Sequence, residues 1–158
     1  VKAKDIMEPI TDTLSPDTTI KEAIKQMKMA HRAGQRTGVK GMVVLDSDGN
    51  LMGMLSIKDI LRAIIPEYMN MAELGEFTWE GMLEKMAKRV ENMKVRDLMT
   101  TKVVTVEENA PLMEVADTLV KQNLQRVPVI GKSGKPVGII YVRDLYHALV
   151  KAMLGEED

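Results

Sequence analysis

The chain repeats itself, and the repeat limits its fold more than any single residue does. Lys4-Asp5-Ile6-Met7 returns 92 positions later as Arg96-Asp97-Leu98-Met99, and the same offset pairs Thr13 with Thr105, Ile20 with Leu112 and Met27 with Leu119. Farther along, Gly53 to Ile60 matches Gly138 to Leu145 at an offset of 85. The first copy therefore carries 7 extra residues between Met27 and Met42, where Arg32-Ala33-Gly34-Gln35-Arg36-Thr37-Gly38 reads as a basic loop. A unit this short does not bury its apolar face alone, so two copies are expected to fold together.

Both copies predict the same order of elements. In the first, Thr19 and Glu22 form a capping box ahead of a helix whose apolar face is Ile20, Ala23, Ile24 and Met27. Met42 to Leu45 and Leu51 to Leu55 read as strands joined by the turn Asp46-Ser47-Asp48-Gly49-Asn50. A helix from Ser56 to Ile65 follows, stopped by Pro66. In the second copy Leu112, Val115, Ala116 and Leu119 mark the first helix, Val127 to Ile130 and Val137 to Val142 the strands, and Arg143 to Leu154 the last helix. Between the copies, Trp79, Met82, Leu83, Met86 and Val90 recur at helical spacing after a cap at Thr78, which predicts an added amphipathic helix. The expected division is 1–65 for the first repeat, 66–93 for the connecting insertion and 94–158 for the second repeat.

Composition removes several function classes. Without cysteine there is no disulfide, thiolate metal site or thiol nucleophile, and a reducing cytoplasmic setting is expected. The net charge is −1, with 22 basic and 23 acidic residues interspersed, so no broad basic face is expected to hold nucleic acid. No apolar run approaches the length of a membrane span. Met27, Met29 and His31 include soft ligands, but on a helix Met29 points away from the other two, so no metal site is expected. His31 and His147 stand beside no nucleophile motif, and catalysis is not expected.

The order Asp-Ile/Leu-Met, helix, strand-turn-strand and Gly-x-x-Ser-x-x-Asp resembles the CBS domain, named after cystathionine β-synthase, over about residues 2–65 and 94–150. That resemblance implies an α/β (α+β) fold of two tandem βαββα repeats packed sheet to sheet with pseudo-two-fold symmetry, plus the inserted connecting helix. It implies a regulatory, non-catalytic module without a catalytic cofactor. Its ligand would be AMP, ADP or ATP, or alternatively S-adenosylmethionine, and it would pair as a homodimer.

The strongest chemical signal is Gly53-Met54-Leu55-Ser56-Ile57-Lys58-Asp59. A strand turning into a helix at Ser56 presents backbone N–H groups and the positive end of the helix dipole, which favours a phosphate. Asp59, an acceptor when ionised, suits the paired hydroxyls of a ribose, and Gly53 leaves room for a close approach. Ser-x-x-Asp is also an ordinary way to open a helix. In the second copy Tyr141 replaces the small hydroxyl residue while Asp144 remains, so the phosphate grip is lost there.

The resemblance adds residues from the second copy. Gln125-Arg126-Val127-Pro128 looks like the family's basic segment before Pro-Val, with Arg126 suited to fork onto phosphate oxygens and Arg143 as a second phosphate contact. Thr105 stands where the base would be met. The first-copy equivalent of Arg126 is Gly41, preceded by Lys40. One nucleotide site is therefore expected from Gly53, Ser56, Asp59, Thr105, Arg126, Pro128 and Arg143, with a degraded second site around Lys40, Lys58, Tyr141 and Asp144. The two arginines favour a phosphate-bearing ligand over a sulfonium. The rival reading is a dimerising interaction module that binds no nucleotide.

Overall fold

The structure, a computed structural model, describes residues 1–31, 38–65 and 81–155. The expected loop at 32–37, Pro66, and the expected cap at Thr78 with Trp79 lie outside the described residues. The fold is mixed α/β, and the chain divides into two compact units: Asp12–Val103, and Val1–Thr11 together with Val104–Asp158.

In chain order the elements are α1 (Ala3–Ile6), β1 (Glu8–Pro9), α2 (Ile20–Met29), β2 (Gly41–Leu45), β3 (Leu51–Ser56), α3 (Ile57–Ile64), α4 (Met82–Val90), α5 (Val95–Leu98), β4 (Val106–Glu107), α6 (Leu112–Lys121), β5 (Arg126–Ile130), β6 (Pro136–Tyr141) and α7 (Val142–Leu154). The cap expected at Thr19 and both hairpin turns form. The Thr19 hydroxyl accepts from the backbone N–H of Glu22 at 3.2 Å, fixing the start of α2. Gly49 and Gly134 both have φ +83°, the left-handed backbone that ends each hairpin turn. On α2, Ile20, Ala23 and Met27 are buried, whereas Ile24, expected on the same face, is exposed at the stripe's edge. The described part of the connecting helix starts at Met82 after Gly81, whose φ of +72° is incompatible with a helical turn, and it lies against α3.

The two hairpins have the same register. β2 and β3 pair antiparallel from Gly41 opposite Ser56 to Leu45 opposite Leu51, with a shift at Val44/Leu45. β5 and β6 pair from Arg126 opposite Tyr141 to Ile130 opposite Pro136, with the matching shift at Val129/Ile130. In the unit with the second hairpin, a four-stranded sheet runs β1-β6-β5-β4, with β4 parallel to β5. The other unit repeats this order through single bridges: Leu14 is parallel to Val44 and Thr100 antiparallel to Met54.

Each repeat's opening segment is thus built into the unit holding the other repeat's hairpin. Val95, at the start of α5, is fully buried in a core with Leu14, Ile20, Met27, Val44, Leu55 and Ile60. Ala3, at the start of α1, is fully buried with Val115, Leu119, Val127, Val129 and Ile140. The sequence repeats and the compact units are therefore different divisions of the chain, exchanged at their leading segments.

Candidate functional site

The junction of β3 and α3 is held from several directions. Ser56 is extended (φ −117°, ψ 163°) and caps α3, and the N–H of Ile57 donates to the carbonyl of Lys40 at 2.9 Å. The Ser56 hydroxyl accepts from the Asp59 N–H at 3.3 Å. In return Asp59 Oδ2 accepts from the Ser56 N–H at 2.9 Å and from its hydroxyl at 3.1 Å. Asp59 Oδ1 accepts from the Arg62 guanidinium, one turn along the helix, and from the Thr100 hydroxyl at 3.1 Å. Asp59 is 7% exposed and is the one buried charged residue among those described. A buried carboxylate is retained at such cost when its acceptors are satisfied, and these four donors satisfy it.

Gly53 lies under the segment that supplies Thr100. A Cβ at Gly53 would stand 2.7 Å from the Thr100 carbonyl oxygen and 2.8 Å from Met99 Sδ. The space expected to admit a ligand next to Gly53 is, on this side, filled by protein. Lys40 and Lys58 are exposed beside the same junction.

The second hairpin builds the same junction with different chemistry. The N–H of Val142 donates to the Gln125 carbonyl at 3.0 Å, as Ile57 does to Lys40. Asp144 Oδ2 accepts from the Tyr141 N–H at 2.8 Å, so the carboxylate caps α7 as Asp59 caps α3. Arg126, opposite Tyr141 across the hairpin, is half-buried, Pro128 is buried, and Arg143 and Thr105 are exposed. Asp144 also borders a cavity of about 890 Å³ that it shares with Asp5, Ile6, His147 and Lys151.

Within one unit, then, the structure brings together Gly53, Ser56, Lys58, Asp59 and Lys40, and within the other Arg126, Tyr141, Arg143 and Asp144. The register makes Gly41 the counterpart of Arg126 and Ser56 that of Tyr141. Sequence reasoning missed Thr100 and Arg62. Arg62 was detectable from its i, i+3 spacing to Asp59, whereas Thr100 is 41 positions away and carried no signal. Among the described residues no group of three His, Cys, Asp or Glu side chains is placed to hold a metal ion. No helix there is long and apolar enough to cross a membrane.

Comparison with known proteins bears on the fold. The profile of the CBS domain matches residues 3–66 and 95–151. An uncharacterised protein of Methanocaldococcus jannaschii is 31% identical over 131 residues, covering 75% of this chain and 78% of its own length. The solved structure of CBSX2, a protein of Arabidopsis thaliana, in complex with AMP superimposes with a TM-score of 0.69 at 23% identity, over 96% of this chain and 97% of that one. The cytosolic domain of the Mg2+ channel MgtE in complex with ATP gives a TM-score of 0.67 at 22% identity, over 93% of this chain and 48% of that one. At these identities the two solved structures establish a shared fold.

Proposed function

Because the chain belongs to the CBS domain family, with two copies of the domain in tandem, we propose that it is a regulatory module that binds an adenosine nucleotide. AMP, ADP or ATP is the ligand, and its presence is passed on through dimer geometry or partner contacts. The observation that carries this reading is the β3–α3 junction, where a capped helix start and a buried carboxylate stand together. A helix N-terminus attracts phosphate oxygens, and Asp59 offers acceptors to ribose hydroxyls. Ser56 is assigned to the phosphate, Asp59 to the ribose, Arg126 and Arg143 to the phosphate, and Thr105 to the base, with Gly53 and Pro128 shaping the surrounding backbone. Lys40, Lys58, Tyr141 and Asp144 form the weakened counterpart. The fold similarity to structures holding AMP and ATP supports the ligand class. The ligand is bound and released without turnover.

Regulation requires differential affinity for two arrangements of the protein, since a ligand that binds both equally shifts nothing. The test is a titration of AMP, ADP, ATP and S-adenosylmethionine against the purified chain, followed by thermal melting. A nucleotide at 100 times its dissociation constant adds about 2.7 kcal/mol to the folded state. An unchanged melting temperature with every ligand overturns the reading.

A second reading, a dimerising interaction module without nucleotide, is favoured by α7. None of its 13 residues is buried, and Val142, Tyr146, Leu149 and Met153 are exposed at successive spacings of four, three and four. That spacing places them in one stripe of the kind that seats a second helix.

A further inference from the structure

We infer that Thr100 competes with the nucleotide for Asp59, so that the segment carrying the second Asp-Leu-Met motif regulates the site in the first repeat; this rests on the nucleotide reading. A carboxylate has about four lone-pair directions. In this chain four donors already point at Asp59: the Ser56 N–H and hydroxyl on Oδ2, and the Arg62 guanidinium and Thr100 hydroxyl on Oδ1. The carboxylate is buried, so solvent offers it no further exchange. Ribose hydroxyls gain acceptors on Asp59 only where an existing donor leaves.

The donors differ in how readily they leave. The two from Ser56 belong to the helix cap, and losing them would undo the start of α3. Arg62 is two-thirds exposed and turns into water at little cost. Thr100 comes from a segment 41 positions away. Its backbone is anchored independently, by the Met54 N–H donating to its carbonyl and its own N–H donating to that of Met54, both at 2.9 Å. Its hydroxyl can therefore rotate away while the backbone pair stays. A ribose presents two hydroxyls, and seating both on Oδ1 takes the direction that Arg62 yields and the one that Thr100 holds, so the ligand must break this hydrogen bond, which holds the site closed when nucleotide is absent. By linkage, whatever pulls Thr100 from Asp59 raises nucleotide affinity by the same factor that nucleotide favours its release.

The test uses Thr100→Val and Thr100→Ser in the full chain, with AMP and 2′,3′-dideoxy-AMP as probes and calorimetry as the readout. Thr100→Val removes the competing donor at the same shape, and AMP is expected to bind about tenfold more tightly, the loss of one charge-assisted hydrogen bond. Thr100→Ser keeps the hydroxyl and the original affinity. Dideoxy-AMP, lacking the ribose hydroxyls, shows no gain in Thr100→Val, which separates competition at Asp59 from a general loosening of the fold. Thr100→Ala repeats the measurement should the valine variant fail to fold. AMP binding to the natural chain with equal or weaker binding to whichever of Thr100→Val and Thr100→Ala folds overturns this inference and leaves the proposed function standing. Absence of AMP, ADP and ATP binding in every variant overturns the proposed function, and the inference with it.

Discussion

Gly53 and Thr100 approach so closely that a Cβ on the glycine would stand 2.7 Å from the threonine's carbonyl oxygen. The same contact is built in the other unit, where a Cβ on Gly138 would meet the Met7 side chain and stand 3.0 Å from the carbonyl oxygen of Glu8. The glycine that opens each Gly-x-x-Ser/Tyr-x-x-Asp stretch is therefore a seat for the opposite repeat's leading segment.

Alanine at these two positions is expected to have unequal effects. At Gly53 the obstacle includes a backbone carbonyl that is hydrogen-bonded to Met54, so the segment itself must shift, whereas at Gly138 the nearest atoms belong to a flexible thioether. Overpacking of this kind costs about 1–3 kcal/mol, with Gly53→Ala near the upper end and Gly138→Ala near the lower. Urea unfolding of the two variants checks the order, and equal losses contradict it.

Val95 provides a test of the exchanged leaders. It sits in the second repeat's opening segment yet is fully buried in the core that holds Ile20, Val44 and Leu55. Val95→Ala is expected to cost about 1–3 kcal/mol through lost burial and the cavity left behind. Amide exchange should rise first in Gly41–Leu45 of the first hairpin. A rise confined to Arg126–Ile130 shows that Val95 supports its own repeat instead.

Much of this architecture was legible in the sequence. Both hairpins, the helices that flank them and the equivalence of Arg126 with Gly41 follow from the repeat, because strands and helices of this length carry their period openly. The exchange was not legible. α1 and α5 have four residues each and β1 two, too few for a period to show which sheet they join. For the same reason Gly53 read as room for a ligand, although the matched glycine, Gly138, was visible in the second repeat. Asp59 was found by its spacing to Ser56. Its partner Thr100 was not, since a hydrogen bond across 41 positions is set by the tertiary fold alone.

Asp59 and Asp144 cap equivalent helices, and their replacement separates stability from binding. Asp59→Ala removes a buried acceptor for four donors, Asp144→Ala a half-buried one, and each loses the carboxylate half of a capping box, a charge-assisted hydrogen bond worth about 1.5–3 kcal/mol. Under the proposed function only Asp59→Ala, together with Arg126→Ala, weakens AMP binding strongly. Calorimetric titration of the folded variants decides the assignment. Greater loss of affinity in Asp144→Ala than in Asp59→Ala places the working site in the other repeat.

The exposed stripe of α7 carries the prediction about assembly. Its counterpart in the first repeat, α3, has α4 packed against it, and there Ile57, Leu61 and Ile64 share with Leu83 and Ala87 an apolar cavity of about 400 Å³. On α7 the residues at the matching positions are Val142, Tyr146 and Leu149, and Tyr146 and Leu149 are 61% and 51% exposed. Apolar side chains at helical spacing favour a second helix over water, and an isologous pair of α7 helices buries the stripe on both protomers at once. Tyr146→Glu combined with Leu149→Glu places two charges in that seam, yet removes no buried residue from either core. In analytical ultracentrifugation the natural chain is expected to sediment as a dimer and the double variant as a folded monomer. A natural chain that sediments as a monomer across the micromolar range contradicts the dimeric part of the proposal, while a double variant that remains dimeric moves the seam away from α7.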